Sequence, residues 1–259
     1  MRYTEAPQRR AELLRRVAAA GYLSSAAAAA ALGVSEMTIR RDLHELAAQG
    51  LVNRVAGGAS AVVHPGAPFE ARREAAPVAK QAVARAAAGL LDGAQVVGLD
   101  AGTTVTELAE RLPGGLTVVT HSVPVVTACA ERDDLELIAL GGSYHAKTRS
   151  FSGPITRAAL SQLALDVAVL SAAAVTPAGV YSADVWDADT KQVMASVANR
   201  VVLLLDSGKL GRRAPIRFLD LELVDTVVVD AGAAPEHLAM LRDACAHVVV
   251  AAIGADGVA

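Results

Sequence analysis

Aromatic residues and cysteines are scarce in this sequence. Phenylalanine, tryptophan and tyrosine make up 3% of its 259 residues, although 53% of the chain is hydrophobic. The two cysteines, Cys129 and Cys245, lie far apart and fit neither a metal-ligand spacing nor a redox CxxC pair. These spacings argue against a zinc-binding module and a redox motif. We therefore expect no metal and no cofactor, and a reducing cytosol is the simpler interpretation.

Long apolar runs are also lacking. The chain has no segment near the ~20 apolar residues that cross a bilayer as a helix, and residues 1–10 are polar, unlike the apolar part of a secretion signal. Apolar stretches such as Val201–Leu205 have the length of buried strands instead. We expect a cytoplasmic protein that does not insert into a membrane.

Charge is distributed unevenly along the chain. Residues 1–60 hold eight arginines and no lysine against five acids, a net charge of +3, and the remainder holds 16 bases against 22 acids, a net charge of −6. The sum is the overall charge of −3. A basic first quarter followed by an acidic body is typical of a polyanion-binding domain attached to a regulatory or catalytic one.

The basic segment predicts three helices. Apolar residues at helical spacing predict an amphipathic helix over 8–20 that ends at Gly21. An alanine-rich helix over 26–32, which Ser24 or Ser25 caps, leads to a turn at Gly33. Ser35 caps the third helix. On that helix the inward-facing residues are Ile39, Leu43 and Leu46.

The polar face of the third helix points to nucleic acid. A helix, a turn with glycine and a second helix carrying exposed arginines have the geometry of a recognition helix in the major groove of DNA. Residues 51–58 predict a β-hairpin wing behind it. We expect the DNA contacts to come from Ser35, Thr38, Arg40, Arg41, His44 and Arg54. The other interpretation is a solvated helix with ordinary surface arginines.

The body of the chain predicts an α/β fold. Over residues 77–259, helical segments alternate with short Val and Leu runs, which indicates an open, mostly parallel sheet covered on both faces. Residues 61–76 are rich in Ala, Gly and Pro and predict a linker between a DNA-binding domain (1–60) and this second domain. The predicted strands are 95–100, 116–120, 135–140, 166–171, 201–206, 226–229 and 247–251.

Polar residues follow several of these strands. Ligands of open parallel sheets bind at the carboxyl ends of the strands, and the loop Asp100–Thr104 offers a glycine, hydroxyls and amides at a helix start, which suit a phosphate. The residues expected to converge there are Asp100, Gly102, Thr103, Thr104, His121, Ser122, Gly141, Gly142, Asp206 and Lys209. Alternatively, the threonines cap a helix, the glycines form turns, and Lys209 is a solvated turn lysine.

Several of these motifs resemble those of a known family. Val34–Leu43 and Arg54–Ala59 closely resemble the DeoR family of bacterial transcriptional regulators, and the resemblance covers nearly the whole chain. The motifs that continue it are Phe69–Arg72, Lys80, Leu99–Thr104, Val119–Ser122, Leu140–Gly142, Phe151–Pro154 and Asp206–Lys209.

This resemblance implies a winged helix-turn-helix and an effector-sensing body similar to the ribose-5-phosphate isomerase and coenzyme A transferase folds. It implies two partners, operator double-stranded DNA and a small-molecule effector of the sugar-phosphate class, and a homodimer or homotetramer. It also adds Lys191, near the family's acidic and lysine motif, to the effector-binding residues; this segment either binds sugar hydroxyls or begins a helix. The expected function is a non-enzymatic repressor of sugar or carbon catabolism.

Departures from the family pattern leave the effector open. Ala56 replaces a wing histidine, His121 an asparagine and His145 an arginine, and Ala172–Ala174 lie where a glycine-rich strand end is usual. Except for Ala56, these residues lie where an effector would bind. The rival function is a sugar-phosphate isomerase or transferase with an accessory head, for which Asp184 or Asp187 would be the base. The sequence does not distinguish an activator from a repressor.

Overall fold

The computed structural model describes residues 6–20, 22–55, 57–62 and 64–253. We call residues 6–62 the head, which contains three helices and a small antiparallel sheet with the strand order β1-β3-β2. Its elements are α1 (Ala6–Ala20), β1 (Tyr22–Ser24), α2 (Ser25–Leu32), α3 (Glu36–Ala48), β2 (Val52–Val55) and β3 (Gly58–Ala61).

Serine and glycine residues set the helix ends of the head. The hydroxyl of Ser24 accepts a hydrogen bond from the amide of Ala27 at 3.4 Å, and Ser35 caps α3 in the same way with the amide of Thr38 at 3.2 Å. Gly33 has a φ of 63°, a left-handed conformation that favours glycine. The predicted helix-turn-helix and hairpin are thereby confirmed. Gly21 and Ala56 lie outside the described residues.

The core of the head follows the predicted apolar stripe. Ile39, Leu43 and Leu46 of α3 are buried together with Leu13 and Val17 of α1. The alanines of α2 have little bulk, and Ala28 and Ala29 are buried in the same cluster. Because the inner face of α3 is fixed by these contacts, its opposite face is held toward solvent.

The segment 61–76, predicted as a linker, contains secondary structure. It begins inside β3 and includes the helix α4 (Phe69–Glu74), whose Phe69 is buried. The amide of Phe69 donates a hydrogen bond to the carbonyl oxygen of Lys147 at 2.8 Å. The segment therefore packs on residues far along the chain.

The body contains a sheet of seven parallel strands, as the sequence predicts. Its strand order is β15-β14-β12-β9-β4-β5-β6. The strands are β4 (Val96–Leu99), β5 (Thr117–Thr120), β6 (Glu136–Ala139), β9 (Leu165–Ser171), β12 (Ala198–Leu205), β14 (Thr226–Asp230) and β15 (His247–Ala251). The helices are α5 (Pro77–Ala88), α6 (Thr103–Ala109), α7 (Val123–Cys129), α8 (Pro154–Leu160), α9 (Val185–Ser196) and α10 (Pro235–Ala244).

Both faces of this sheet are covered. Along β12, Leu203 and Leu205 pack into one apolar cluster and Val202 and Leu204 into another, because successive side chains of a strand point to opposite faces. In the part of the chain that the structure describes, no helix has both the length and the apolar character needed to span a bilayer.

Several short elements differ from the sequence prediction. The stretches 141–153 and 172–184, for which the sequence predicts no strand, contain a hairpin and a pair of strands, since strands this short show no clear periodicity. Helix α9 begins at Val185, because Asp184 accepts hydrogen bonds from the amides of Trp186 and Asp187. The unpredicted strands are β7 (Ser143–His145), β8 (Ser150–Ser152), β10 (Ala174–Thr176), β11 (Gly179–Ser182) and β13 (Ile216–Leu219).

Candidate functional site

Helix α3 presents an exposed stripe opposite the core of the head. Met37, Arg40, Arg41 and His44 are exposed at helical spacing, while Ile39 is buried. Arg40 forms an ion pair with Glu36 at 2.6 Å, one turn earlier. Met37 was not among the residues predicted from the sequence to contact DNA, although it lies between the cap residue and the arginines.

The six predicted DNA-binding residues do not share one surface. Ser35, Thr38 and Arg41 line a groove between α3 and α1, together with Met37 and Arg10. Two others line a different groove, between the head and the body: Arg40 and Arg54 face Ser207 and His237 across it. His44 is exposed and lines neither groove.

The body contains a cavity of about 210 Å³ at the carboxyl end of β9, which we call the strand-end cavity. Five segments line it. They are the end of β9 with the next residues, Ala101 after β4, the residues from the end of β11 into α9, the tip of the β7-β8 hairpin, and the segment 66–72 before and within α4. Its polar lining residues are Arg72, His145, Lys147, Thr148, Ser171, Ser182, Asp184, Asp187 and Lys191.

Asp100 lies behind the wall of this cavity. It is fully buried and accepts hydrogen bonds from the amide and hydroxyl of Ser171 at 2.9 and 2.6 Å and from the ammonium of Lys191. Burial alone raises the pKa of Asp100, but the positive charge of Lys191 and the contact with His121 outweigh it and hold that pKa well below its usual range. Asp100 therefore fixes Lys191 and Ser171 and does not line the cavity itself.

His121 lies beside the same buried carboxylate. Its Nδ1 lies 2.8 Å from the carbonyl oxygen of Phe151, which only accepts hydrogen bonds, so this nitrogen carries a hydrogen. Its Nε2 lies 3.5 Å from Oδ1 of Asp100. His121 is only 1% exposed and is outside the lining of the cavity. Neither this Nε2 nor Oδ1 of Asp100, both buried, has a hydrogen-bond partner among the described residues, so the histidine packs beside Asp100 and no contact with a ligand follows from its placement.

Two residues of α9 line the cavity directly. Lys191 lies 3.6 Å from the carboxylate of Asp187, and Asp187 accepts a hydrogen bond from the hydroxyl of Ser182 at 2.6 Å. Asp184 caps the helix and also lines the cavity. Of the eleven predicted effector-binding residues, Lys191 is in the lining.

The predicted phosphate loop packs against β9, and Ala101 is the part of it that lines the cavity. A side chain at Gly102 would meet Ser171, since a Cβ there would lie 2.2 Å from the Ser171 hydroxyl. Thr103 and Thr104 are buried, and all three residues are outside the lining. Glycine at 102 is therefore required by close packing against β9.

Three further strand-end residues have local structural roles. Ser122 is buried and caps α7 by accepting a hydrogen bond from the amide of Val125 at 3.4 Å. Gly141 accepts a hydrogen bond from the hydroxyl of Thr156 at 2.8 Å. Gly142 has a φ of 153°, and a Cβ there would lie 2.7 Å from the carbonyl oxygen of Ser152. These contacts explain the residues without a ligand.

Asp206 and Lys209 lie in a second polar cluster, away from the strand-end cavity. We call this cluster the head–body junction; it consists of Asn53, Arg72, Lys80, Asp206, Lys209 and Arg212. In it, Arg212 donates a hydrogen bond to the side-chain oxygen of Asn53 in the wing. Burial lowers the pKa of Lys209, and Asp206 opposes that shift in part. The strand ends thus form two clusters where the sequence predicted one.

Arg72 is the residue common to both places, since it lines the strand-end cavity and the junction. Its Nε donates a hydrogen bond to the carbonyl oxygen of Ala67 at 3.1 Å. Its NH2 atom is buried and has no hydrogen-bond partner among the described residues. Burial lowers the pKa of Arg72. An unsatisfied guanidinium nitrogen beside a cavity favours an anionic ligand.

Comparison with known families agrees with both parts of the chain. Residues 9–64 match the DeoR-like helix-turn-helix domain, and residues 76–231 match the DeoR C terminal sensor domain. The chain belongs to the DeoR family. Its expected membership is thereby confirmed, and the chain is a DNA-binding transcriptional regulator.

Relatives of this DeoR-family chain are named as regulators. The L-fucose operon activator of Haemophilus influenzae is 32% identical over 201 residues, which cover 76% of this chain and 81% of the relative. The putative aga operon transcriptional repressor of Escherichia coli O157:H7 is 30% identical and covers 96% and 95%. The glycerol-3-phosphate regulon repressor of Escherichia coli K12 is 28% identical and covers 91% and 95%. These names support a regulator and set aside the isomerase or transferase interpretation.

Solved structures similar to part of the chain include ribose-5-phosphate isomerases. One, in complex with phospho-erythronic acid, has a TM-score of 0.38 at 19% identity and covers 51% of this chain and 52% of its own. The isomerase A of Neisseria gonorrhoeae has a TM-score of 0.40 at 18% identity and covers 55% of each chain.

Proposed function

We propose that this DeoR-family regulator represses an operon for the use of a sugar or related carbon source, and that a phosphorylated sugar releases it from operator DNA in the cytoplasm. We infer the class of ligand from Arg72, which lines the strand-end cavity. Its NH2 atom is buried and has no hydrogen-bond partner among the described residues. A phosphate oxygen is the acceptor that this donor lacks.

The rest of the lining suits the remainder of such a molecule. Lys147 adds a donor on the hairpin side of the cavity, beside His145, whose Nε2 lies 2.7 Å from the hydroxyl of Ser152, and Lys191 adds an ammonium on the α9 side. Asp184 and Asp187 supply carboxylate oxygens, which accept hydrogen bonds from sugar hydroxyls. A lining that holds both signs of charge favours a ligand with an anionic end and several hydroxyls over a purely apolar molecule.

Arg72 also supplies a route from the ligand to the DNA. Its segment connects the body to the wing, and the same side chain lines the head–body junction, where Arg212 holds Asn53 of β2. A ligand that binds Arg72 more tightly in one arrangement of head and body shifts the population toward that arrangement. The bound effector thereby moves the recognition helices out of register with the operator.

Operator binding by this type of head involves two copies of the chain. A helix-turn-helix protein reads two half-sites about one helical turn apart, and the symmetry of the protein matches that of the operator. We infer a homodimer or homotetramer in which the body carries the contacts between copies.

The experiment compares wild type with Arg72→Ala and with Arg73→Ala, a neighbouring exposed arginine that serves as the matched control. Each protein is heated with a panel of phosphorylated and free sugars, and its binding to DNA from its own upstream region is followed by mobility shift. We expect a phosphorylated sugar to raise the melting temperature of wild type and Arg73→Ala and to release their DNA. Arg72→Ala binds the DNA but responds to the sugar weakly or not at all.

Two results would separate the parts of this proposal. If no phosphorylated sugar changes the melting temperature, the ligand class is wrong while operator binding stands. If Arg72→Ala responds as Arg73→Ala does, the ligand does not bind at the strand-end cavity through Arg72.

Activation is the second candidate function, because one relative is named as an operon activator. The sign of regulation depends on where the operator lies relative to the promoter. A transcription reporter fused to the upstream region distinguishes the two, since deletion of the regulator raises expression under a repressor and lowers it under an activator.

A further inference from the structure

Met37 is a large apolar side chain that the fold leaves in solvent. It is 74% exposed, the highest value among the exposed large hydrophobic residues of the described chain. Its neighbours in the sequence are polar, and the core of the head is complete without it, since Ile39, Leu43 and Leu46 already fill the inner face of α3. The stability of the head therefore gives no reason for methionine at this position.

The position of Met37 is that of a base-reading residue. It lies in the first turn of α3, and the N-terminal residues of a recognition helix are those that contact base edges. Met37 and Arg41 are four residues apart on one face and line the same groove as Thr38. The positive charge of Arg41 and of Arg10 on the facing helix suits a DNA backbone as the occupant of this groove.

The chemistry of methionine selects one feature of the major groove. Its thioether has no hydrogen to donate, so it neither binds a phosphate nor pairs with a guanine edge. Thymine, however, presents a C5 methyl group in the major groove, which apolar side chains contact. The unbranched, flexible methionine side chain adapts to such a surface.

On the basis of the proposed operator binding, we propose that Met37 reads a thymine by packing on its methyl group. Arg41 and Thr38 then supply the polar contacts of the same helix, and Met37 adds a preference for thymine over cytosine at one position of each half-site. Specificity of this DeoR-family protein at that base is set by an apolar contact.

Deoxyuridine tests this contact because it differs from thymidine by the methyl group alone. Operator sequences are first selected from random duplexes with the full chain, and each thymine is then replaced in turn by deoxyuridine. At one thymine of each half-site, we expect the wild type to lose affinity by about fourfold, the factor that corresponds to one buried methyl group. Met37→Ala, which preserves helix propensity, binds the two duplexes equally.

The matched control is Leu223→Ala, which removes another exposed apolar side chain in the body. It keeps the wild-type ratio of affinities for thymine and deoxyuridine. The proposal is overturned if the wild type tolerates deoxyuridine at every position, or if Met37→Ala keeps the wild-type ratio. Selection that enriches no sequence over random DNA overturns operator binding itself, so the two failures are distinguishable.

Discussion

The ammonium group of Lys80 donates hydrogen bonds to the main-chain oxygens of Arg72 and Ala75. Lys80, in the first turn of α5, therefore fixes the end of α4, the helix whose Arg72 lines the strand-end cavity. Lys80 is only 3% exposed, and burial lowers its pKa to about 8.

This lowered pKa predicts a pH dependence of stability. Below pH 8, Lys80 carries its proton in both the folded and the unfolded protein, and the cost of burying the charge is fully present. Between about 8 and the ordinary value of 10.5, the unfolded state binds more protons, so the free energy of unfolding rises with pH. We expect the wild type to gain about 3 kcal/mol relative to Lys80→Met across this window. Denaturant titrations on both sides of the window measure it, and parallel curves for the two proteins would contradict it.

Breaking the buried ion pair between Asp100 and Lys191 should lower the free energy of unfolding substantially. Asp100→Asn leaves the ammonium of Lys191, which is 3% exposed, with the more distant Asp187 as its remaining carboxylate among the described residues and with the hydroxyl of Ser171 at 3.3 Å. We expect a loss of about 3–5 kcal/mol in the free energy of unfolding. The double variant Asp100→Asn, Lys191→Met is more stable than the single variant, because no unpaired charge is buried. Equal stability of the single and double variants would rule out the ion pair as the cause.

The same pair sets an acid limit to stability. The pKa of Asp100 in the folded protein lies below its ordinary value of 3.8, so its contribution is fully present above that value. It decreases as the pH falls further, since the unfolded state then takes up the proton first. As the pH falls below that value, the unfolding free energy of the wild type therefore decreases relative to that of the double variant. A difference that does not change with pH would argue against a charged Asp100.

We expect the substitution of Arg41 to weaken specific DNA binding without unfolding the protein. It is exposed on α3 beside Met37, and a bidentate contact between arginine and guanine discriminates by about 1–3 kcal/mol. We expect Arg41→Ala to bind the selected operator about tenfold to hundredfold more weakly, with an unchanged melting temperature. Arg73→Ala, outside the head, is the control for removing one positive charge. If Arg41→Ala binds the operator as tightly as the wild type does, Arg41 does not contact the operator.

Sequence patterns predicted the parts of this protein that depend on local chemistry. Ser35, Gly33 and the apolar stripe from Ile39 to Leu46 located the helix-turn-helix, and continuous Val and Leu runs located the seven parallel strands. Strands of three residues, such as Ser143–His145, are too short to show the alternation of polar and apolar residues from which a strand is predicted.

The strand-end cavity was beyond such reasoning because its walls come from distant segments. The loop before Phe69 reaches it only by pairing with Lys147 across the fold. Gly102 faces Ser171 for a similar reason, since the approach of β9 to the loop is a property of the sheet and not of either segment. A hydroxyl or glycine at a strand end was therefore assigned to a ligand where packing explains it.

The separation of Lys209 from the strand-end cavity predicts a variant that uncouples binding from response. Lys209 lines the head–body junction and Lys147 lines the cavity. With the effector found in the melting screen, Lys147→Ala weakens ligand binding by roughly tenfold because it removes a charged donor. Lys209→Ala binds the ligand with wild-type affinity. The fraction of this variant that must carry ligand before the DNA is released, however, differs from that of the wild type. Calorimetry for the ligand and mobility shift for the DNA measure the two steps separately, and a Lys209→Ala variant that loses ligand affinity as Lys147→Ala does would place Lys209 in the binding site.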